Sequence, residues 1–184
     1  MTAVIPASGG VVMGEKPQVL VIGYADDHCP DSARKLAYEV GCEIARRGGI
    51  LITGGLKGVM EAASRGAKEN GGLVVGIIPQ EDKAYANPYC DVVVCTGMGW
   101  ARDFITAYTA DAVIIVGGGA GTLIEAIAAY FKLKPIVALR GSGGTADKYA
   151  GGYLDDRKAV KVWGENTPGK AVDRAFQLLK GEHR

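Results

Sequence analysis

The chain has 184 residues, 48% of them hydrophobic, with 21 basic against 20 acidic residues and a formal net charge of +1. A chain of that size and composition is expected to form one domain that buries its own core without disulfides or a structural metal. The near balance of charge leaves no electrostatic footprint for nucleic acid or for a membrane surface.

The first residues, MTAVIPASGG, offer neither a basic segment nor a continuous apolar one. They do not read as a signal peptide, and residues 1–16 are expected to be a flexible tail ahead of a domain over 17–184. From Gln18 onward, short apolar runs alternate with helical patterns. QVLVIGY (18–24) is a strand. A helix follows from about Ser32, with Leu36, Ala37, Val40, Ile44 and Ala45 recurring on one face, and Gly48-Gly49 stop it. GILIT (49–53) is the second strand, GVMEAASRGAKEN (58–70) the second helix and LVVGII (73–78) the third strand. DVVVC (91–95), AVIIV (112–116) and PIVAL (135–139) are three more strands, with helices over 101–109 and 122–131 and a last one over 168–180. The glycine-rich stretch GSGGTADKYAGGY (141–153) reads as a mobile surface loop or lid.

The strands are unbroken apolar runs, as expected when both faces are covered. Together with the intervening helices they predict an α/β fold with an open, mostly parallel sheet and helices on both faces. No apolar run reaches the ~20 residues a bilayer span needs. Cys29, Cys42, Cys90 and Cys95 contain no C-x-x-C pair, which fits reduced thiols in a cytoplasmic protein. His28-Cys29 has no further ligand nearby in sequence, so no metal site is predicted.

Two glycine turns share one spacing. In GGLKGVMEA (54–62) and GGAGTLIEA (118–126), a glycine pair follows a strand, and a glutamate stands seven residues after the first glycine. Such turns expose backbone N–H groups at a helix start, which carries about half a positive charge and favours an anion, phosphate above all. Both turns fall at carboxyl ends of strands, where open α/β sheets bind ligands. A tight strand-to-helix turn with no ligand is the plain alternative. Neither turn is a P-loop, because G-x-x-x-x-G-K-[ST] is absent. A nicotinamide-dinucleotide site is also disfavoured, because the spacing is not G-x-G-x-x-G and the next strand ends in Arg140, where a ribose-binding acid is wanted. Thr122 and Glu125 fit a capping box, with the threonine as N-cap; that role and a chemical one both stay open for Glu125.

These residues resemble the lysine-decarboxylase-like Rossmann proteins, which include the Lonely Guy phosphoribohydrolases and the molybdenum-cofactor carrier proteins. The pattern P-G-G-x-G-T-x-x-E is matched by Gly117-Gly118-Gly119-Ala120-Gly121-Thr122-Leu123-Ile124-Glu125, with glycine in the proline's place. G-G-x-x-G-x-M is matched by Gly54-Gly55-Leu56-Lys57-Gly58-Val59-Met60, and TGMGWARDF (96–104) is similar to the segment that carries an arginine, here Arg102. The resemblance spans about residues 18–180 and implies a Rossmann-like domain.

In the hydrolase branch it implies cleavage of the N-glycosidic bond of nucleoside 5′-monophosphates, with Arg102 orienting the ligand and Glu125 assisting water attack. Asp103 follows Arg102 where the hydrolases have lysine, which lowers the local positive potential. TGMGWARD and the triple glycine look more like the carrier branch, which binds a phosphorylated pterin without turnover. A pyridoxal-phosphate decarboxylase is rejected, since no lysine stands where a Schiff base would need it.

The expected protein is therefore a carrier-like binder of a phosphate-bearing small ligand, with molybdenum cofactor as candidate cargo and no cofactor required for folding. The expected site is Gly54, Gly55, Gly58, Gly118, Gly119, Gly121, Thr122, Arg102 and Glu125. The family implies a homo-oligomer, dimer or tetramer. FITAYTADAV (104–113) is a candidate contact helix that could equally face the sheet.

Overall fold

A computed structural model describes residues 16–181. The expected tail, apart from Lys16, lies outside the described residues, as do 182–184. The elements in chain order are β1 (Gln18–Gly23), α1 (Asp31–Arg46), β2 (Ile50–Thr53), α2 (Val59–Glu69), β3 (Leu73–Ile78), β4 (Val92–Cys95), α3 (Arg102–Thr109), β5 (Ala112–Val116), α4 (Ala120–Phe131), β6 (Ile136–Leu139), α5 (Gly144–Tyr149), β7 (Val162–Glu165) and α6 (Pro168–Leu179).

All seven strands pair in parallel, in the order β4-β3-β2-β1-β5-β6-β7. The chain winds outward from β1 in one direction, then returns to its other side at β5. That reversal leaves a crevice beyond the carboxyl ends of β1 and β5, where adjacent connections diverge to opposite faces.

Alternation within each strand divides the core. Val19 and Val21 of β1 point with Ile114 and Val116 of β5 toward α1, α2 and α6. Leu20 and Ile22 point with Val113 and Ile115 to the opposite face, under α3, α4 and α5, where alanines 107, 126, 128 and 129 let the helices sit close. Both faces of the central strands are thus dry, and burial of this apolar surface drives the assembly.

Four details differ from the sequence expectations. DVVVC reads as a buried strand, yet β4 is the sheet's edge, with Val92 46% and Val94 41% exposed. β7 has no counterpart among the predicted strands, because only Val162 of its four residues is fully buried. The 141–153 stretch is not a plain loop. It contains α5, tied down because Asp147 accepts from the Gly141 and Gly143 amides (2.6 and 3.0 Å) and Thr145 packs against the second glycine turn. Finally, α4 starts at Ala120 with Gly119 as N-cap, so Thr122 lies inside the helix and the capping box does not form.

Candidate functional site

At the crevice between β1 and β5 lies a cavity of about 320 Å³, near the lower end of the roughly 300–1,000 Å³ typical of small-molecule sites. The last residues of β1, the start of α4, Gly54 of the first glycine turn and the start of α3 form its walls.

The second glycine turn supplies the clearest binding feature. Gly117 and Gly118 have φ of +64° and +94°, turning the chain from β5 into α4. The amides of the first helical turn have no acceptor within their own helix, and the dipole adds positive potential there. Gly119, Gly121 and Thr122 present this end to the cavity. Thr122 is fixed by its hydroxyl, which donates to the Gly23 carbonyl of β1 (2.9 Å). Behind the turn, Thr145 of α5 donates from its amide to the Gly118 carbonyl (2.8 Å) and from its hydroxyl to the Gly119 carbonyl (3.0 Å). The segment expected to be mobile therefore buttresses the turn.

Gly117 stands where the family pattern has proline, and Tyr24 explains the difference. A Cβ on Gly117 would lie 2.1 Å from the Tyr24 ring. Proline also holds φ near −65°, opposite to the observed turn. Tyr24 touches the first glycine turn as well, its carbonyl accepting from the Val59 amide (3.0 Å). That approach needs Gly58, whose Cβ would meet the same carbonyl at 2.5 Å. One residue thus ties both turns to the end of β1.

A buried charged cluster faces the α4 start. Arg102, Asp103 and Glu125 are 7%, 3% and 8% exposed. Arg102 Nη1 lies 3.0 Å from Asp103 Oδ1 and 3.9 Å from Glu125 Oε1. Space for the guanidinium comes from Gly54, whose Cβ would fall 2.5 Å from Nη1. Arg102 Nε is buried with no hydrogen-bond partner among the described residues. Such an orphan donor is costly unless something from outside the chain accepts from it.

Two carboxyls share one cation, and the charge is divided unequally between them. Asp103 is pushed up by desolvation and held back by Arg102. Glu125 is pushed up to about 8, first by burial and then by the Asp103 carboxylate, with Arg102 and Thr106 opposing. Hydrogen bonding agrees. Thr106 Oγ1 lies 2.9 Å from Glu125 Oε1 and 2.8 Å from the Asp103 carbonyl oxygen. Its single hydrogen serves one of them, and a protonated Glu125 supplies the second. Burial and the neighbouring Asp103 favour the protonated form of Glu125, while Arg102 at 3.0 Å opposes the upward shift of Asp103.

A stability prediction follows from that shift. The Glu125 pKa is higher in the folded protein (about 8) than its ordinary value of 4.5, so the native state keeps a proton that the unfolded chain releases in that window. Stability therefore falls as pH rises through the window, with a slope of up to about 1.4 kcal/mol per pH unit. Denaturant unfolding of wild type and Glu125→Gln between about pH 5 and about pH 9 checks this; the variant should lose most of the slope. Equal slopes would contradict a buried neutral carboxyl.

Of the residues singled out from sequence, the cavity brings together Gly54, Arg102, Gly119, Gly121, Thr122 and Glu125. Gly55, Gly58 and Gly118 do not line it; they shape the backbone behind it. Leu56 and Lys57 of the first turn border a neighbouring hollow of about 400 Å³, which shares Ala25, Asp27 and Met60 with the cavity. Sequence reasoning did not identify Tyr24, Trp100 or Thr106. Only the adjacency of Asp103 to Arg102 was visible in advance.

An open parallel sheet with helices on both faces and a buried Arg–Asp–Glu cluster at its switch point defines a Rossmann-like domain. The chain belongs to the SLOG cluster4 family, which it matches over residues 16–172. An uncharacterized protein of Archaeoglobus fulgidus is 44% identical over 123 residues, 67% of this chain and 80% of that one. The cytokinin riboside 5′-monophosphate phosphoribohydrolase of Mycobacterium tuberculosis is 38% identical over 94 residues, half of each chain. The structure of the molybdenum cofactor carrier protein of Chlamydomonas reinhardtii superposes with a TM-score of 0.76 at 32% identity, covering 90% of this chain and 99% of that one. No helix among the described residues is long and apolar enough to cross a membrane.

Proposed function

We propose that this protein binds a phosphate-bearing small molecule in the β1–β5 cavity, as a carrier of the phosphorylated pterin of molybdenum cofactor. The phosphate is held by the amides at the α4 start and by Arg102. One observation carries this reading: a buried guanidinium with an unpartnered Nε and an open helix N-terminus share one cavity wall. Similarity to a molybdenum cofactor carrier over nine-tenths of the chain supports it, whereas the phosphoribohydrolase matches half.

The phosphoribohydrolase reading has its own support in Glu125. A carboxyl whose pKa is pushed up to about 8, 3.9 Å from Arg102, is suited to proton transfer near neutral pH. In that reading Arg102 orients the ribose side of a nucleoside 5′-monophosphate and Glu125 assists water attack.

Mass spectrometry of the purified protein and an assay for free base separate the two. The carrier reading expects a copurifying phosphorylated pterin and no base released from AMP or related monophosphates. Base release that disappears in Glu125→Gln would replace it with the hydrolase. A bound phosphate ligand at a hundredfold excess over its Kd should stabilise the fold by about 2.7 kcal/mol. Absence of any thermal shift with phosphate compounds would overturn both readings.

We further propose that copies associate through the outer face of α3 and α4. α3 turns Thr106 and Ala107 inward, while Phe104 and Tyr108 stand 43% and 47% exposed, with Ile124 and Phe131 exposed on α4. A light-scattering mass of a single chain would contradict this.

A further inference from the structure

Among the described residues, Trp100 is the most exposed large apolar side chain, at 80%. It is nevertheless part of the cavity wall, and its ring lies 3.6 Å from where a Cβ would sit on Gly121. It does not hang from a loose loop. The Gly97 amide donates to the Gln80 carbonyl and the Gly99 amide to the Pro79 carbonyl, both at 3.2 Å. Both glycines are in left-handed backbone, and the 3-10 turn Gly99–Ala101 leads directly into Arg102. A pinned backbone thus presents an indole to water two residues before the buried guanidinium.

Tyr24 occupies the other end of the same glycine turn. Its ring fills the space a side chain at Gly117 would need, its hydroxyl stands 2.8 and 2.7 Å from where a Cβ would sit on Gly143 and Gly144, and it too lines the cavity. Glycines from two segments leave room for this one side chain. The phosphate-favouring turn 117–121 is therefore flanked by an aromatic ring at each end.

We propose that Trp100 is a stacking wall for a planar heteroaromatic ring on the ligand, so that the cavity selects phosphate esters carrying a flat base over those carrying only a sugar. This rests on the reading above, in which the ligand is a ring-bearing phosphate, and adds the residue that recognises the ring. A flat ring laid on the exposed indole removes apolar area of both partners from water and brings two π faces together. Because Trp100 and Arg102 share one short segment, ring and phosphate would be gripped at a set separation.

The chain has two tryptophans, so Trp163→Phe leaves Trp100 as the sole indole reporter. In that background, emission and thermal shift are followed on titrating AMP, GMP, a phosphorylated pterin, ribose 5-phosphate and inorganic phosphate. At least one ring-bearing ester should quench the emission and bind about tenfold or more tightly than ribose 5-phosphate. In the otherwise wild-type chain, Trp100→Ala should weaken that ester by about 5- to 150-fold, leaving ribose 5-phosphate unchanged, while Trp100→Phe keeps most of the affinity.

Equal binding of ring-bearing and ring-free phosphates without quenching would overturn the inference while leaving the phosphate site intact. Emission that follows protein concentration and ignores ligand would assign Trp100 to a contact between copies and also overturn it. If no phosphate compound binds, the phosphate reading itself fails, and the stacking wall with it.

Discussion

Replacing Arg102 with methionine is expected to destabilise the protein by about 3–5 kcal/mol and to abolish binding of phosphate ligands. The methionine keeps much of the apolar stem but removes the charge that Asp103 meets at 3.0 Å. Asp103 is 3% exposed and Glu125 8%, so solvent cannot replace the lost cation. Asp103 would have to take up a proton or drag in water. At about 2–4 °C per kcal/mol for a chain of this length, the melting temperature should fall by roughly 10 °C. Arg46→Met is the control: its partner Glu43 is half-buried but keeps Arg47 as a second cation, the Arg46 side chain is 59% exposed, and the effect should stay within about 0.5 kcal/mol. Thermal unfolding of both variants, with and without a phosphate ligand, makes the comparison. An Arg102→Met protein as stable as Arg46→Met would mean that the buried cluster is not held by that charge.

Restoring the family's proline should also be harmful here. Gly117→Pro is expected to cost about 3 kcal/mol or more, for three separable reasons. The observed φ of +64° is closed to proline. The ring would enter the space held by Tyr24, 2.1 Å from the Cβ position. The Gly117 amide, which donates to Ser142 Oγ at 2.8 Å, would be gone. Adding Tyr24→Ala relieves only the second, so the double variant should recover part of the loss and show a coupling between two positions 93 apart in sequence. Urea unfolding measures it. A Gly117→Pro protein of wild-type stability would show that the turn can adopt the family geometry and that Tyr24 does not dictate it.

Those two positions also mark the limit of what the sequence reveals. Runs such as AVIIV and LVVGII are apolar enough, and their flanking glycines sharp enough, to announce strands and turns without any tertiary information. β7 was not legible because an edge strand buries one face weakly, and VWGE carries little apolar signal. α5 was hidden for the opposite reason: GSGGTADKY has poor helix propensity and is ordered by Asp147 and by Thr145 reaching carbonyls 26 and more residues earlier.

Arg102 and Glu125 could be singled out from the motifs that carry them. Their relation to Thr106, and the division of protons among the three acidic and basic groups, arises only when α3 and α4 pack side by side. Thr122 and Glu125 had the spacing of a capping box, but the helix begins at Ala120, which frees Glu125 to turn to Thr106 instead. Gly117 reads as a departure from the family; the reason for it lies in Tyr24, just past the end of β1 and far away in the chain.

The claim on which the functional reading depends is that the α4 start and Arg102 together hold an anion. A crystal structure grown with whichever phosphate ester stabilises the protein most tests it directly. The phosphate oxygens should accept hydrogen bonds from the Gly119 and Gly121 amides and from the Arg102 guanidinium, with Nε no longer unpartnered. A phosphate seated elsewhere on the molecule, with the β1–β5 cavity filled only by water, would contradict the account.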